Sequence, residues 1–307
     1  MVASLFQTVA MMMLYMLIGF LLCKSKRAIV SHAKSFSGLL IYILGPSMII
    51  GSFLKLDFTG DNIARIGKYF AVSLIVQIIF FGLIYACIHK KYEDSRYRIL
   101  TVGSVLGNVG FMGMPIIASV FPDNPIVLCY SSINVMTMNL IVFTIGAFLI
   151  TNDKKYVSPK SALLNPTSIA ILIALPLFLF EVKVPKAISD SVDLLGSMAT
   201  PMCTFILGMR LSEASLKKIF TRLFVYITCL LKLVVFPVLA FLMVHWLPFL
   251  DESLKTTVVV LAMTPSGAII ESLAEIHECQ QELAANVVLL TTILSIITIP
   301  LMTMLLV

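Results

Sequence analysis

Residues 107–115 read GNVGFMGMP, a set of helix-breaking and polar residues in the middle of an otherwise apolar stretch. An interior glycine weakens a helix by about 1 kcal/mol and a proline by about 3. A continuous helix is therefore not expected through Gly107, Gly110, Gly113 and Pro115. An unpaired amide in hydrocarbon costs several kcal/mol, so unwound backbone at that depth must be buried in protein or line a polar cavity. Asn108 stands at the break, where its side-chain amide can donate to a ligand and accept from freed backbone. A second stretch, AMTPSGAIIE at 262–271, breaks a helix in the same way at Thr264, Pro265, Ser266 and Gly267. Two breaks facing each other would aim the positive ends of half-helices at one point, which favours an anion. The expected contacts to such an anion are Gly107, Asn108, Val109 and Gly110 from one break, and Thr264, Pro265 and Ser266 from the other.

Other polar residues at membrane depth have two readings each. Lys232 lies near the middle of an apolar segment, where a lysine demands a partner or a water-filled cavity. It could attract a substrate carboxylate, serve ion coupling, or bond backbone carbonyls. Glu271, beyond Pro265 and nearer the cytoplasmic end, is a candidate proton-coupling carboxylate or a solvated group at the inner mouth. Ser47 and Asn139 are candidate ligands whose ordinary role would be hydrogen bonding between helices. Asn134 and Asn139 point apart around a helix, so at most one can face a given cavity. His277, Glu278 and Cys279 are adjacent, the wrong spacing for a helical metal site, and CxxC, HExxH, GxSxG and Walker A patterns do not occur. An enzyme, a cofactor and a metal are not expected. A channel, a receptor or an intramembrane enzyme is the alternative to a carrier.

The elements that must position these residues follow from composition. Of 307 residues 59% are hydrophobic and only 12% charged, and mean hydropathy is +1.02, against about a quarter charged in a soluble domain. Crossing about 30 Å of hydrocarbon takes about 20 apolar residues. Uncharged stretches cover 3–23, 35–54, 69–88, 99–122, 124–152, 161–180 and 283–307, and segments near 187–209, 220–247 and 256–275 carry few charges. That predicts an all-α polytopic protein of about ten transmembrane helices, the first a retained helix and not a cleaved signal.

Basic residues sort by loop. Lys24, Lys26, Arg27, Lys34, Lys90, Lys91, Arg96, Arg98, Lys154, Lys155, Lys160, Arg210, Lys217, Lys218 and Arg222 fall in one alternate set. Lys55, Arg65, Lys68, Lys183, Lys186 and Lys255 fall in the other. Cytoplasmic loops retain positive charge, so fifteen against six puts both termini outside a cell membrane, inner or plasma. The loop near 274–282 carries no basic residue and adds nothing to this count. Topology explains the net charge of +6 without a nucleic-acid partner. Residues 44–56, LGPSMIIGSFLKL, overlie 199–211, ATPMCTFILGMRL, with Pro46 on Pro201, Lys55 on Arg210 and Leu56 on Leu211. A nearly equal offset sets Asn108 on Thr264. Five helices per half give the second half opposite orientation, so 1–152 and 161–307 are expected to be inverted repeats joined by a cytoplasmic linker at 153–160.

GNVGFMGMP resembles the fourth helix of the auxin efflux carrier family. Gly45-Pro46, the Pro265 break and the ending NVVLLTTILSIITIP at 286–300 resemble its bacterial members, so the likeness covers nearly the whole chain. The resemblance implies a ten-helix transporter with a scaffold part, a transport part and crossed broken fourth and ninth helices. It implies a carboxylate cargo, auxin-like in plants and malate or malonate in some bacteria, carried by alternating access. The ninth segment has Thr264 where the fourth has Asn108, a departure that leaves that side of the site open. Expected partners are a small organic anion and membrane lipid, with a coupling proton or sodium ion and a homodimer as further candidates.

Overall fold

The computed structural model describes residues 2–213 and 222–307. Lys217 and Lys218, two members of the basic loop set, lie outside the described residues. Among the described residues every regular element is helical. Seven helices are long and apolar enough to cross a membrane, namely Ser4–Lys24, His32–Leu54, Gly60–Lys91, Ile126–Thr151, Lys186–Glu213, Leu223–His245 and Gln281–Leu306. The protein is an all-α polytopic membrane protein. These helices are the first, second, third, fifth, seventh, eighth and tenth segments of the sequence. The other three are divided: the fourth into Ser95–Val105 and Met114–Val120, the sixth into Pro159–Leu164 and Pro166–Leu179, and the ninth into Glu252–Ala262 and Ile269–Ile276.

Local chemistry explains most boundaries. The Thr59 hydroxyl accepts from Asn62 N at 3.1 Å, the Asn165 amide oxygen from Ser168 N at 3.0 Å, and the Asp251 carboxylate from Leu254 N at 2.9 Å. Each satisfies a donor that the first helical turn leaves free. Three prolines follow π-helical turns, two inside long spans and one in the divided fourth segment: Pro46 after Leu40–Leu44, Pro237 after Leu231–Val235, and Pro115 after Val109–Gly113. Proline has no N–H and its ring crowds the carbonyl four residues back, and a widened turn relieves both conflicts without ending the span.

Two apolar cores form. The larger runs through the third, fourth, fifth, eighth, ninth and tenth segments, with parts of the first, second and sixth. The smaller gathers Met16, Leu40, Leu44, Cys203, Leu207 and Met209, from the first, second and seventh segments, with Val288. Gly19 faces the Phe205 backbone and Gly208 the Met16 backbone. The absence of side chains there lets the first and seventh helices pack backbone to backbone, as small residues do in membranes.

Candidate functional site

The two broken segments meet at their breaks. Helix Ser95–Val105 gives way to extended backbone at Leu106, whose φ and ψ are −72° and 111°. Helix Glu252–Ala262 stops at Met263. Gly107 and Ser266 then form an antiparallel bridge: Asn108 N donates to Pro265 O at 2.7 Å, and Gly267 N to Leu106 O at 3.0 Å. Each break thus supplies the backbone partners that the other has lost, which is how non-helical chain is tolerated at membrane depth. The Ser266 hydroxyl donates to Gly103 O at 2.7 Å, and Ser266 N donates to the Thr291 hydroxyl at 3.1 Å. These bonds lock the ninth segment to the fourth and the tenth.

Beyond the crossing both chains turn helical again. Asn108 O accepts from Met112 N and Gly113 N, each at 3.1 Å, and opens the π turn that leads to Met114–Val120. The first amides of that turn, at Val109 and Gly110, point back at the crossing, as the N-terminal amides of any helix do. The Asn108 side chain, 6% exposed, turns the other way, toward the seventh segment, with Nδ2 3.7 Å from Cys203 Sγ. Thr264 is fully buried, and its hydroxyl donates to Leu261 O at 2.7 Å.

Lys232 closes the crossing from behind. Its side chain is fully buried, and Nζ donates to Ala262 O at 2.9 Å, at the C-terminal end of the ninth segment's first half. The ammonium also lies 4.6 Å from the Phe236 ring centroid, within cation–π range. A Cβ on Gly107 would stand 3.1 Å from Nζ and 2.5 Å from the Thr264 hydroxyl, so glycine is what lets cation and crossing approach. A cavity of about 20 Å³ beside Lys232 is bordered by Gly107, Gln77 and Asn134.

On the other side of the crossing, a cavity of about 320 Å³ lies between the first, second and seventh segments and residues Met114, Pro115, Ala118 and Leu128. Small-molecule sites begin near this size. Ser47 lines it, and so do Thr200 and Pro201, one turn from Cys203. Met48 borders both: it lines the cavity, and a Cβ on Gly110 would stand 4.0 Å from its methyl. Lys55 and Asp193 pair at 2.9 Å in the cavity wall. A third cavity, about 550 Å³, lies at the end of the molecule that carries Arg98 and Lys155, among Ser95, Arg98, Thr151, Lys155, Tyr156 and His277–Gln280. Burial pushes the Cys279 thiol above its ordinary range, against the opposing pull of Arg98, and favours the protonated thiol.

The structure therefore brings Gly107, Asn108, Val109, Gly110, Thr264, Pro265, Ser266 and Lys232 to one place, and sets Ser47 in the adjoining cavity. Asn139 makes its hydrogen bonds elsewhere: Nδ2 donates to the Thr167 hydroxyl at 2.8 Å and to Asn165 Oδ1 at 3.4 Å, in the sixth segment. Glu271 also stands apart, in an ion pair with Arg210 of the seventh segment. Sequence reasoning missed the pairing of Arg210 with Glu271, the approach of Cys203 and the support from Thr291. Arg210 carried a signal, because it overlies Lys55 in the repeat. Cys203 carried none, since a cysteine in an apolar helix reads as core.

The sequence pattern of the family described as membrane transport protein matches residues 4–303. An uncharacterized transporter of Methanocaldococcus jannaschii is 25% identical over 279 residues, covering 88% of each chain. Another, of Methanothermobacter thermautotrophicus, is 24% identical over 300 residues, covering 96% of each chain.

Proposed function

This chain belongs to the membrane transport protein family, the auxin efflux carrier family, and from that premise we propose that it is a secondary carrier of small organic carboxylates. The anion binds at the crossing, on the side where Asn108 faces Cys203, and is passed across by alternating access. One observation carries this reading: the crossing's backbone is satisfied by bonds between the two breaks, and the Val109 and Gly110 amides at the start of the next turn, with the Asn108 side-chain amide, are the donors this reading assigns to an anion. The buried Lys232 Nζ lies directly behind and, when protonated, adds positive potential at the same point, and in a low-dielectric interior such a charge acts over a longer range than in water.

In this proposal the ten segments all cross the membrane, as inverted repeats 1–152 and 161–307 joined by 153–160, in an inner or plasma membrane with both termini outside. The cavity of about 320 Å³ is then the outward vestibule, and Met48 stands between it and the site. Coupling to a proton or sodium ion and assembly as a homodimer are compatible additions.

Counterflow in liposomes loaded with a mono- or dicarboxylate tests the carrier reading, since a channel does not accumulate label against a trans gradient. Carboxylates should exceed their matched amides by at least about tenfold, or about 1.4 kcal/mol. Equal uptake of acid and amide would overturn charge-based recognition.

A further inference from the structure

One stripe of the seventh segment runs from the cavity, past the crossing, to an ion pair. Gly196, Thr200, Cys203, Leu207 and Arg210 alternate by four and three residues, the spacing of a single helical stripe. Gly196 and Thr200 line the vestibule, Cys203 meets Asn108, Leu207 is buried in the smaller core, and Arg210 ends the stripe in its ion pair with Glu271. Arg210 lies seven residues beyond Cys203, about 10 Å along the axis and on the same side. It is the one basic residue of helix Ala199–Glu213.

The pair joins the two apolar cores. The helix of Arg210 builds the smaller core, whereas Ile270, Leu273 and Ala274, the neighbours of Glu271, belong to the larger. Glu271 also sits in the first turn of the half-helix that starts beyond the ninth-segment break. The face of the seventh segment thus borders a cavity at one end and is closed at the other by an ion pair whose side chains are 26% and 11% exposed. Opening that end by simple separation would strand a guanidinium and a carboxylate in a poorly solvated place. Exchanging one carboxylate for another would keep Arg210 paired throughout, and a guanidinium fork accepts any carboxylate of suitable approach.

We propose that Arg210 is a second carboxylate-binding station on the inner half of the path, and that Glu271 is the built-in carboxylate occupying it when no cargo is there. An anion leaving the Asn108 site inward displaces Glu271 from Arg210, which releases the seventh segment from the ninth at that end. When the anion departs, Glu271 returns and reseals it. The direction of travel rests on the carrier reading above; the anion affinity of Arg210 does not.

The experiment uses a variant that keeps Cys203 as its single cysteine, in membranes exposed on the cytoplasmic face to methanethiosulfonate reagents of opposite charge. In the parent, modification of the buried Cys203 should be slow with both. Glu271→Gln should speed the anionic reagent at least about tenfold and the cationic reagent much less, because an unopposed Arg210 then guards the approach. Arg210→Gln should abolish that preference, and in the Glu271→Gln background Arg210→Lys should retain part of it. Melting temperatures on the same samples separate loosening from gating. Equal acceleration of both reagents in Glu271→Gln, or no acceleration in a variant that melts like the parent, overturns the station. Should Glu271→Gln fail to fold, the Arg210→Glu, Glu271→Arg exchange replaces it, and modification that stays equally slow with both reagents is the expected result. Anion-preferring entry through the exchanged pair would overturn the proposal. Charge-selective modification without any carboxylate counterflow would reject the carrier reading and leave the station standing.

Discussion

The amide of Asn108 donates to the carbonyl of Pro265 at 2.7 Å, so the fourth and ninth segments complete each other where neither can continue its own helix. Pro265 serves twice in this bond. Its missing N–H helps end the helix before it, and its carbonyl, turned out of any ladder of its own, becomes the acceptor that the opposite break needs. A site assembled in this way has fixed backbone and free helix termini at the same point.

Packing at that junction leaves no room for a methyl group. A Cβ on Gly267 would stand 2.8 Å from Gly107 O and 3.1 Å from Gly107 C, both backbone atoms that cannot swing away. Gly267→Ala should therefore destabilise the protein by about 1–3 kcal/mol and lower its melting temperature. Gly82→Ala, at an exposed glycine with nothing within 4 Å, should be neutral or stabilising by up to about 1 kcal/mol. Equal melting of the two variants would contradict the crossing geometry.

Asn108→Ala removes the one side-chain amide that reaches from the crossing toward Cys203. The expected loss is about 1–3 kcal/mol of carboxylate binding, or roughly five- to 150-fold in affinity, with little change in melting. Thr264→Ala should cost less, because that hydroxyl already spends its proton on Leu261 O. Wild-type affinity in Asn108→Ala would move the site elsewhere.

Lys232→Met keeps the volume and removes the charge. The lost bond to Ala262 O costs stability, while relief from burying an ammonium returns it, so melting should shift by only a few degrees. Carboxylate uptake should fall at least about fivefold. A fall in stability with uptake per folded molecule unchanged would make Lys232 a structural clip and nothing more.

Single cysteines at Asn152 and Asp251 report orientation. Asn152 follows the fifth segment in a left-handed turn, with φ and ψ of 55° and 29°, and Asp251 caps the ninth. In a background free of the native cysteines, Asn152→Cys should label from the cytoplasmic side and Asp251→Cys from outside. Labelling of both from one side would refute the ten-span topology.

The sequence by itself determined the solvent, the helices and the breaks. Charge-free stretches long enough to cross hydrocarbon cannot be satisfied in water, and GNVGFMGMP and TPSG cannot remain helical, so both conclusions follow from composition and local propensity. That the two breaks would face each other was legible only as an expectation from their matching offsets, and that they hydrogen-bond to each other was decided by the fold. Which polar residues serve the site was decided by the fold. Asn108 and Asn139 are both amides in apolar segments, yet one faces Cys203 beside the crossing and the other ties the fifth segment to Thr167. Lys232 and Glu271 both read as costly intramembrane charges, yet the first is held by a single carbonyl and the second by Arg210. Helical periodicity gives a residue's direction only relative to its own axis. What lies in that direction depends on how far neighbouring helices are rotated and shifted, and the packing of Gly19 against Phe205 and of Gly267 against Gly107 sets that only in the assembled protein.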